Sequence, residues 1–267
     1  GLEPLIGSFQ YRYYNEHFDF ANSSRFYHFL RHGWLGWKFN DDEQIRFGIN
    51  DVPFGILPYA SHNWFFQLPY YLGFEADFDL GVKYIKNIGN WNHQFAYYIG
   101  DEGQYYGNSA DSSRYAYDVV KSGDYAGYDS YNTERNQFNY RVAYLWEHDA
   151  NNSTEMGLST QFSQIHNEST GGDGSHYALG LHLNGNYGPY NLMLEAIRYE
   201  YSLRNPDKTV DDSYVVMGAY DYPYQVAKRG YMITAGLSRD IKVNWGPIEE
   251  ITVYADYCVL ITDNSDW

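Results

Sequence analysis

The chain has 267 residues with 34 acidic against 18 basic side chains, a formal net charge of −16, and 31 tyrosines in an aromatic content of 20%. The acidic balance argues against nucleic-acid binding, which needs a basic excess to neutralise phosphate, and the aromatic content argues against disorder. No window approaches the ~18 consecutive apolar residues of a spanning helix, and the single cysteine, Cys258, leaves neither a disulfide framework nor a cysteine-built metal site.

Taken in chain order, the residues alternate with period two. Phe9, Tyr11 and Tyr13 share one parity, followed by a mixed run over 25–39. Then come Ile45, Phe47 and Ile49; Leu80, Val82 and Tyr84; Phe95, Tyr97 and Ile99; and Phe138, Tyr140, Val142, Tyr144 and Trp146. Met156, Leu158, Thr160 and Phe162 continue the pattern, as do Tyr177, Leu179, Leu181 and Leu183, and later Tyr231, Ile233, Ala235 and Leu237. Runs over 189–201, 214–220 and 248–260 bring the total to about twelve strands, most near the ~9–11 residues of a tilted membrane-spanning strand. Turn signals stand between them: Asn40-Asp41-Asp42, Ile88-Gly89-Asn90, 148–152, Asn184-Gly185-Asn186 and Asn205-Pro206-Asp207. Two connections are long, 51–77 and the tyrosine-rich 101–136, and loops of such length are usually functional or mobile. No amphipathic helix of useful length is visible. The expectation is an all-β, antiparallel protein of one domain over 1–267.

Alternation does not say which face points inward. A soluble β-sandwich buries its apolar face, whereas a membrane barrel shows that face to lipid and encloses the polar one. The polar face here is rich in Gly, Ser, Gln and Asn rather than dense in Lys and Glu. Tyr13, Trp37, Trp91, Trp146, Tyr177 and Tyr190 fall at run ends, as in the aromatic girdles of outer-membrane barrels. Both features favour an antiparallel transmembrane β-barrel.

The segment from Asp51-Val52-Pro53-Phe54-Gly55 to Trp64-Phe65-Phe66 resembles a stretch of Gram-negative outer-membrane porins, the broad group that includes the phosphate-selective type. Leu72-Gly73-Phe74-Glu75-Ala76-Asp77-Phe78-Asp79-Leu80-Gly81 is similar to that family's acidic strand opening, and Gln10-Tyr11-Arg12-Tyr13-Tyr14 to its early strand. Gly246-Pro247-Ile248 and Val253-Tyr254-Ala255-Asp256-Tyr257-Cys258 resemble a late strand, with Ala255 and Cys258 departing from the expected Asn and Ser. The resemblance runs over about 2–260 and carries no catalytic motif. It implies a porin of about sixteen strands, usually trimeric, with a long loop folded into the pore. The chain has no initiator Met and lacks the terminal aromatic strand of such porins, so it reads as truncated at the C-terminus, with the N-terminus open to the same reading.

On that assignment the inward strand positions carry Arg12, Arg46, Lys83 and Arg141, with Arg31 on a run whose parity change points to a bulge. Such a basic ladder would favour anions in a narrow pore, while most of the acid would lie in turns and loops. The plainer alternative pairs these cations with lumen acids such as Glu147, Glu195 and Asp256, giving a neutral or sugar-tolerant channel. Residues 101–136 occupy the place of a constriction loop, with Asp111, Asp118 and Asp124 against Arg114 and Lys121. Ser61-His62-Asn63 offers hydrolase residue types, but neighbours on extended chain point apart. His28 and His32 share a parity, and no metal-ligand spacing is present. Acidic stretches at 40–43 and Asp211-Asp212 read as solvated loops or as sites for Ca²⁺ and for bridging lipopolysaccharide. The expectation is a passive outer-membrane diffusion channel, not an enzyme and without a cofactor. Its partners would be outer-membrane lipids, lipopolysaccharide, small hydrophilic solutes and two further copies of itself. The alternative from another class is a soluble aromatic-rich β-sandwich that binds carbohydrate.

Overall fold

The computed structural model describes residues 4–15, 26–63, 67–103, 105–109, 111–121, 130–206 and 213–262. The strands are β1 (Leu5–Asn15), β2 (Phe26–Asn40), β3 (Glu43–Asp51), β4 (Phe78–Ile88), β5 (Trp91–Asp101), β6 (Asp118–Val119) and β7 (Asn132–Asp149). They continue as β8 (Asn152–Asn167), β9 (Asp173–Tyr187), β10 (Tyr190–Ser202), β11 (Tyr214–Ala219), β12 (Tyr222–Ala227), β13 (Arg229–Trp245) and β14 (Ile248–Thr262). One helical turn, α1 (Leu68–Tyr71), interrupts them. Eleven strands form one antiparallel meander in the order β1-β2-β3-β4-β5-β7-β8-β9-β10-β13-β14, and β12-β11-β6 form a second small sheet. The expected all-β antiparallel class holds. The count of about twelve in one sheet does not: the run over 214–220 is β11, which pairs with β12 and β6 instead of joining the large sheet. Among the described residues β1 and β14 are the two edges.

The faces are the reverse of those in a soluble protein. In β9 one parity carries Tyr177, Leu179, Leu181, Leu183 and Tyr187, and Tyr177, Leu179 and Leu181 are exposed. The other parity carries His176, Ala178, Gly180 and His182, all buried. The same holds across the sheet. Phe47, Phe95, Phe138, Met156, Phe162 and Ile233 lie on the outside, while Lys83, Gln94, Asn139, Arg141, Ser159, Gln161 and Thr234 are buried. All six aromatic residues at run ends are exposed. They separate by strand end, with Trp37, Trp91, Trp146 and Tyr190 beside the two-residue turns and Tyr13 and Tyr177 toward the opposite end. From Tyr177 to Tyr187 the strand advances about 33 Å, which a tilt near 45° reduces to roughly the ~25 Å of an outer-membrane apolar band.

Connections alternate in length. The turns β2–β3, β4–β5, β7–β8, β9–β10 and β13–β14 each span two residues, whereas at the opposite end β8–β9 takes five and β1–β2, β3–β4, β5–β7 and β10–β13 carry long segments. The turns at 40–42, 88–90 and 148–152 fall as expected. Asn184-Gly185-Asn186 does not turn: it lies within β9, and the chain reverses at Gly188-Pro189, where Gly188 takes φ +57°. The β1–β2 register slips between Gln10↔His32 and Tyr11↔Leu30, so Arg31 has no opposite number, and this is the expected bulge. The bulge separates the two histidines, contrary to their shared sequence parity. His28 faces outward, stacked on Tyr13 and Tyr106, and His32 faces inward against Phe78.

The polar face is covered by inserted chain. The expected constriction loop over 101–136 narrows to 102–131, because β5 runs to Asp101 and β7 starts at Asn132. It is joined inside by 52–77 and by the β11–β12 hairpin. Phe54, Leu72, Phe74, Val119, Val215, Met217 and Val226 of these insertions pack with Ile165, Ile197, Tyr199 and Met232 of the wall into one apolar cluster. Tyr70 and Tyr220 hydroxyls meet at 3.1 Å, and the Tyr224 hydroxyl donates to the Tyr71 carbonyl. The insertions therefore bury one another as well as the wall.

Candidate lumen site

Arg141 of β7 is the anchor between wall and insertion. Its side chain is buried, and Nε donates to the Gly55 carbonyl at 2.8 Å. Nη2 meets Glu155 Oε1 at 2.5 Å and lies 3.2 Å from His182 Nε2. Gly55 N donates to Ser159 Oγ at 3.0 Å. Gly55 has φ +59°, and a Cβ there would fall 1.8 Å from Glu195 Oε1, so both backbone conformation and space demand glycine. Further along the same insertion, His62 N donates to Asp256 Oδ2. His62 Nδ1 lies 2.7 Å from Asp256 Oδ1 and Nε2 lies 2.8 Å from Asn191 Oδ1. The Ser61 hydroxyl donates to the Asn63 carbonyl instead of meeting His62. One segment is thus pinned to β7 and β8 by Gly55 and to β10 and β14 by His62.

Arg46 and Lys83 face each other across β3–β4 and share Asp51, at 3.2 and 2.6 Å. Lys83 is buried and also donates to the Asp51 carbonyl at 3.1 Å, and Arg46 stacks on Trp34. Arg12 and Arg31 stack on the Tyr115 ring at 4.6 and 4.5 Å, Arg31 also over Phe78. Their hydrogen-bond acceptors are neutral, the Tyr14 hydroxyl and Gln10 Oε1 respectively, and among the described residues neither forms an ion pair. Pairing of the inward cations therefore occurs, but not with the acids named from sequence. Glu147 is exposed at the short-turn end, where it lines a polar cavity of about 510 Å³ with Asp42, Asn87, Gln94, Arg141 and Glu155. Asp256 holds His62, and Glu195 stands against Gly55.

In the 102–131 insertion, Arg114 is fully enclosed. It meets Asp101 at 2.7 Å, Asp118 at 3.1 Å, Asp111 at 3.2 Å and Glu102 at 3.8 Å. Lys121 instead reaches Glu168 at 3.1 Å on the exposed rim. Asp124, like Asp211 and Asp212, lies outside the described residues. Burial pushes the Asp118 carboxyl up to about 6 despite the pull of Arg114. Burial, with Asp118 and Glu134 adding repulsion, holds Asp77 well above the usual carboxylate range. Glu102 rises for the same reason, with Asp118 its foremost repulsive neighbour. Glu75, buried under Ala60, whose N–H it accepts at 3.0 Å, is pushed up to about 7.

Sequence reasoning missed Asp51 and Glu155, the acids that take up the ladder cations. It also missed the meeting of Asp77, Asp79 and Asp118, whose ligand oxygens all lie within 4.8 Å of one another. Asp77 immediately precedes β4 and Asp79 is its second residue, but Asp118 comes from another insertion, and no local spacing signals that encounter.

No protein-family model matches the chain, and no curated protein matches it. Among solved structures it is similar to the crystal structure of Acinetobacter baumannii OccAB1, at 11% identity and a TM-score of 0.30, covering 87% of this chain and 72% of that one.

Proposed function

We propose that the chain forms the wall of a transmembrane β-barrel and acts as a porin-type channel for passive diffusion of small hydrophilic solutes across an outer membrane. The observation that carries this reading is the inverted sheet: apolar and aromatic side chains exposed outside, Arg, Lys, Asn, Gln and Ser enclosed within. The alternation of two-residue turns with longer connections supports it, as do the two aromatic belts. Insertions packed on the polar face would set the size limit. The channel is non-enzymatic on this reading, sits among outer-membrane lipids and lipopolysaccharide, and assembles as a homotrimer.

Its selectivity is mildly anion-favouring, and Arg12 and Arg31 carry the bias, because Arg46, Lys83 and Arg141 already face carboxylates. Those ion pairs also favour a second reading, a channel for neutral solutes such as sugars. Planar-bilayer recording in a salt gradient tests both. The expected reversal potential indicates anion preference that falls in Arg12→Ala and Arg31→Ala. A potential near zero, unchanged by either substitution, selects the neutral channel. No conductance from detergent-purified full-length protein would overturn the channel itself.

A further inference from the structure

Asp77 and Asp79 stand at the junction where the 52–77 insertion enters β4, and Asp118 is in β6 of the second insertion. All three are buried, and each can direct an oxygen into a space whose ligand atoms lie within 4.8 Å of one another. Three carboxylates do not gather away from water without something to offset their repulsion. Among the described residues Arg114 is the cation in contact with this group, and it is already shared among Asp101, Glu102, Asp111 and Asp118. One positive charge does not balance that set.

The hydrogen-bond inventory points the same way, independently of the carboxylate cluster. Asp79 gives one oxygen to Gln137 Nε2 at 2.8 Å, while its Oδ1 has no donor. Glu102, 4% exposed, has its Oε2 3.8 Å from Arg114 Nη1, and that oxygen receives no hydrogen bond. Asn50 is fully buried directly across the β3–β4 ladder from Asp79, and its Oδ1 is also unpartnered. Buried oxygens without donors are costly; here one belongs to the cluster itself, Asp79 Oδ1, and one to Asp79's ladder partner, Asn50.

We propose that Asp77, Asp79 and Asp118, with Asn50 and Glu102 beside them, bind a hard divalent cation of the calcium class that fastens the inserted chain to the wall. An all-oxygen donor set of carboxylates and an amide suits Ca²⁺. Mg²⁺ prefers to keep several waters, whereas these carboxylates are buried. The ion would tie β6 to β4 and so hold both insertions in place. Metal binding here does not depend on what crosses the lumen.

The test uses the full-length chain folded into detergent free of lipopolysaccharide, stripped with EDTA, and titrated with CaCl₂ alone by calorimetry and by thermal unfolding. The expected result is one Ca²⁺ per chain with a dissociation constant of about 10⁻⁴ M or tighter, and an unfolding midpoint raised by about 5 °C at 10 mM CaCl₂. Asp79→Asn and Asp118→Asn should each weaken binding at least about tenfold, while Asp149→Asn, in an exposed turn, leaves it intact. Wild-type protein that takes up no calcium, with a midpoint indifferent to chelation, overturns the proposal and leaves shared protons as the balance of the cluster. Stoichiometric binding that survives in both Asn variants overturns it as well, by placing the ion elsewhere.

Discussion

Leu181 offers a quantitative test of which solvent the outer face meets. It stands midway along the outward row of β9 between Tyr177 and Tyr187, is 55% exposed, and lies beside Leu158 and Ala196 on the neighbouring strands. In water, replacing so exposed a leucine with arginine changes stability by no more than about 0.5 kcal/mol. At the midplane of a bilayer the same change costs about 2–4 kcal/mol, falling to about 0–1 kcal/mol near the interfaces. Leu181→Arg should therefore destabilise strongly. Tyr187→Arg, about 17–20 Å further along the strand, should cost far less, although the hydroxyl it removes lies 2.7 Å from Thr154 Oγ1. The assay is reversible urea unfolding from lipid vesicles, with free energies taken by linear extrapolation and compared at equal slope. A flat profile, with both variants within about 0.5 kcal/mol of the parent, would refute the lipid-facing assignment and with it the barrel.

Three further outcomes follow from the interior. Arg141→Met keeps volume but strands the Gly55 carbonyl and Glu155. It should cost about 2–4 kcal/mol in the same unfolding assay and raise single-channel conductance as the 52–77 insertion loosens. Gly55→Ala should be similarly damaging because its Cβ meets Glu195, and Gly55→Ala combined with Glu195→Ala should recover most of that loss. About 1 kcal/mol would remain for the left-handed backbone, and strictly additive losses in the double-mutant cycle would disprove the clash. Glu75 is raised from 4.5 to about 7 by burial. The folded state therefore holds its proton where the unfolded chain has lost it. The resulting stability is complete below about pH 4.5 and disappears as pH rises through 7, about 3 kcal/mol in all. Glu75→Gln should flatten that part of the pH–stability curve, and an unaltered slope would show that Glu75 is not its source.

What the sequence made legible was whatever repeats locally. Phe138 to Tyr144 and Tyr177 to Leu183 alternate with period two, so the strands and their division into two faces could be read from parity. The Arg31 bulge announced itself because the 25–39 run changes parity. Parity failed where the chain leaves the ladder. The 214–220 run reads as one more strand, yet β11 pairs with β6, which lies far away in sequence. Asn184-Gly185-Asn186 has turn composition, yet Gly185 stays in β9, where the Tyr187 ring covers it and a Cβ would come within 2.5 Å of that ring. A glycine beneath an aromatic ring and a glycine in a hairpin look alike until the third dimension is known.

The inward cations show why strand parity could locate charge without fixing its sign. Arg46, Lys83 and Arg141 do point inward, but each meets an acid that the period-two pattern does not place opposite it. Asp51 closes β3 and bends back to Lys83, and Glu155 reaches Arg141 although the ladder sets Ser159 across from that arginine. Acid expected in turns and loops has thus entered the interior, at Asp51 and around Arg114. An ion pair at 2.5–3.2 Å leaves little field for a passing solute beyond its own dipole. What remains to act on solutes is the charge with no carboxylate against it among the described residues, Arg12 and Arg31 over the Tyr115 ring. Any anion preference should therefore be localised on β1 and β2 beneath the second insertion, and should respond to Tyr115→Leu, which removes the platform holding both guanidinium groups, more than to Arg46→Ala.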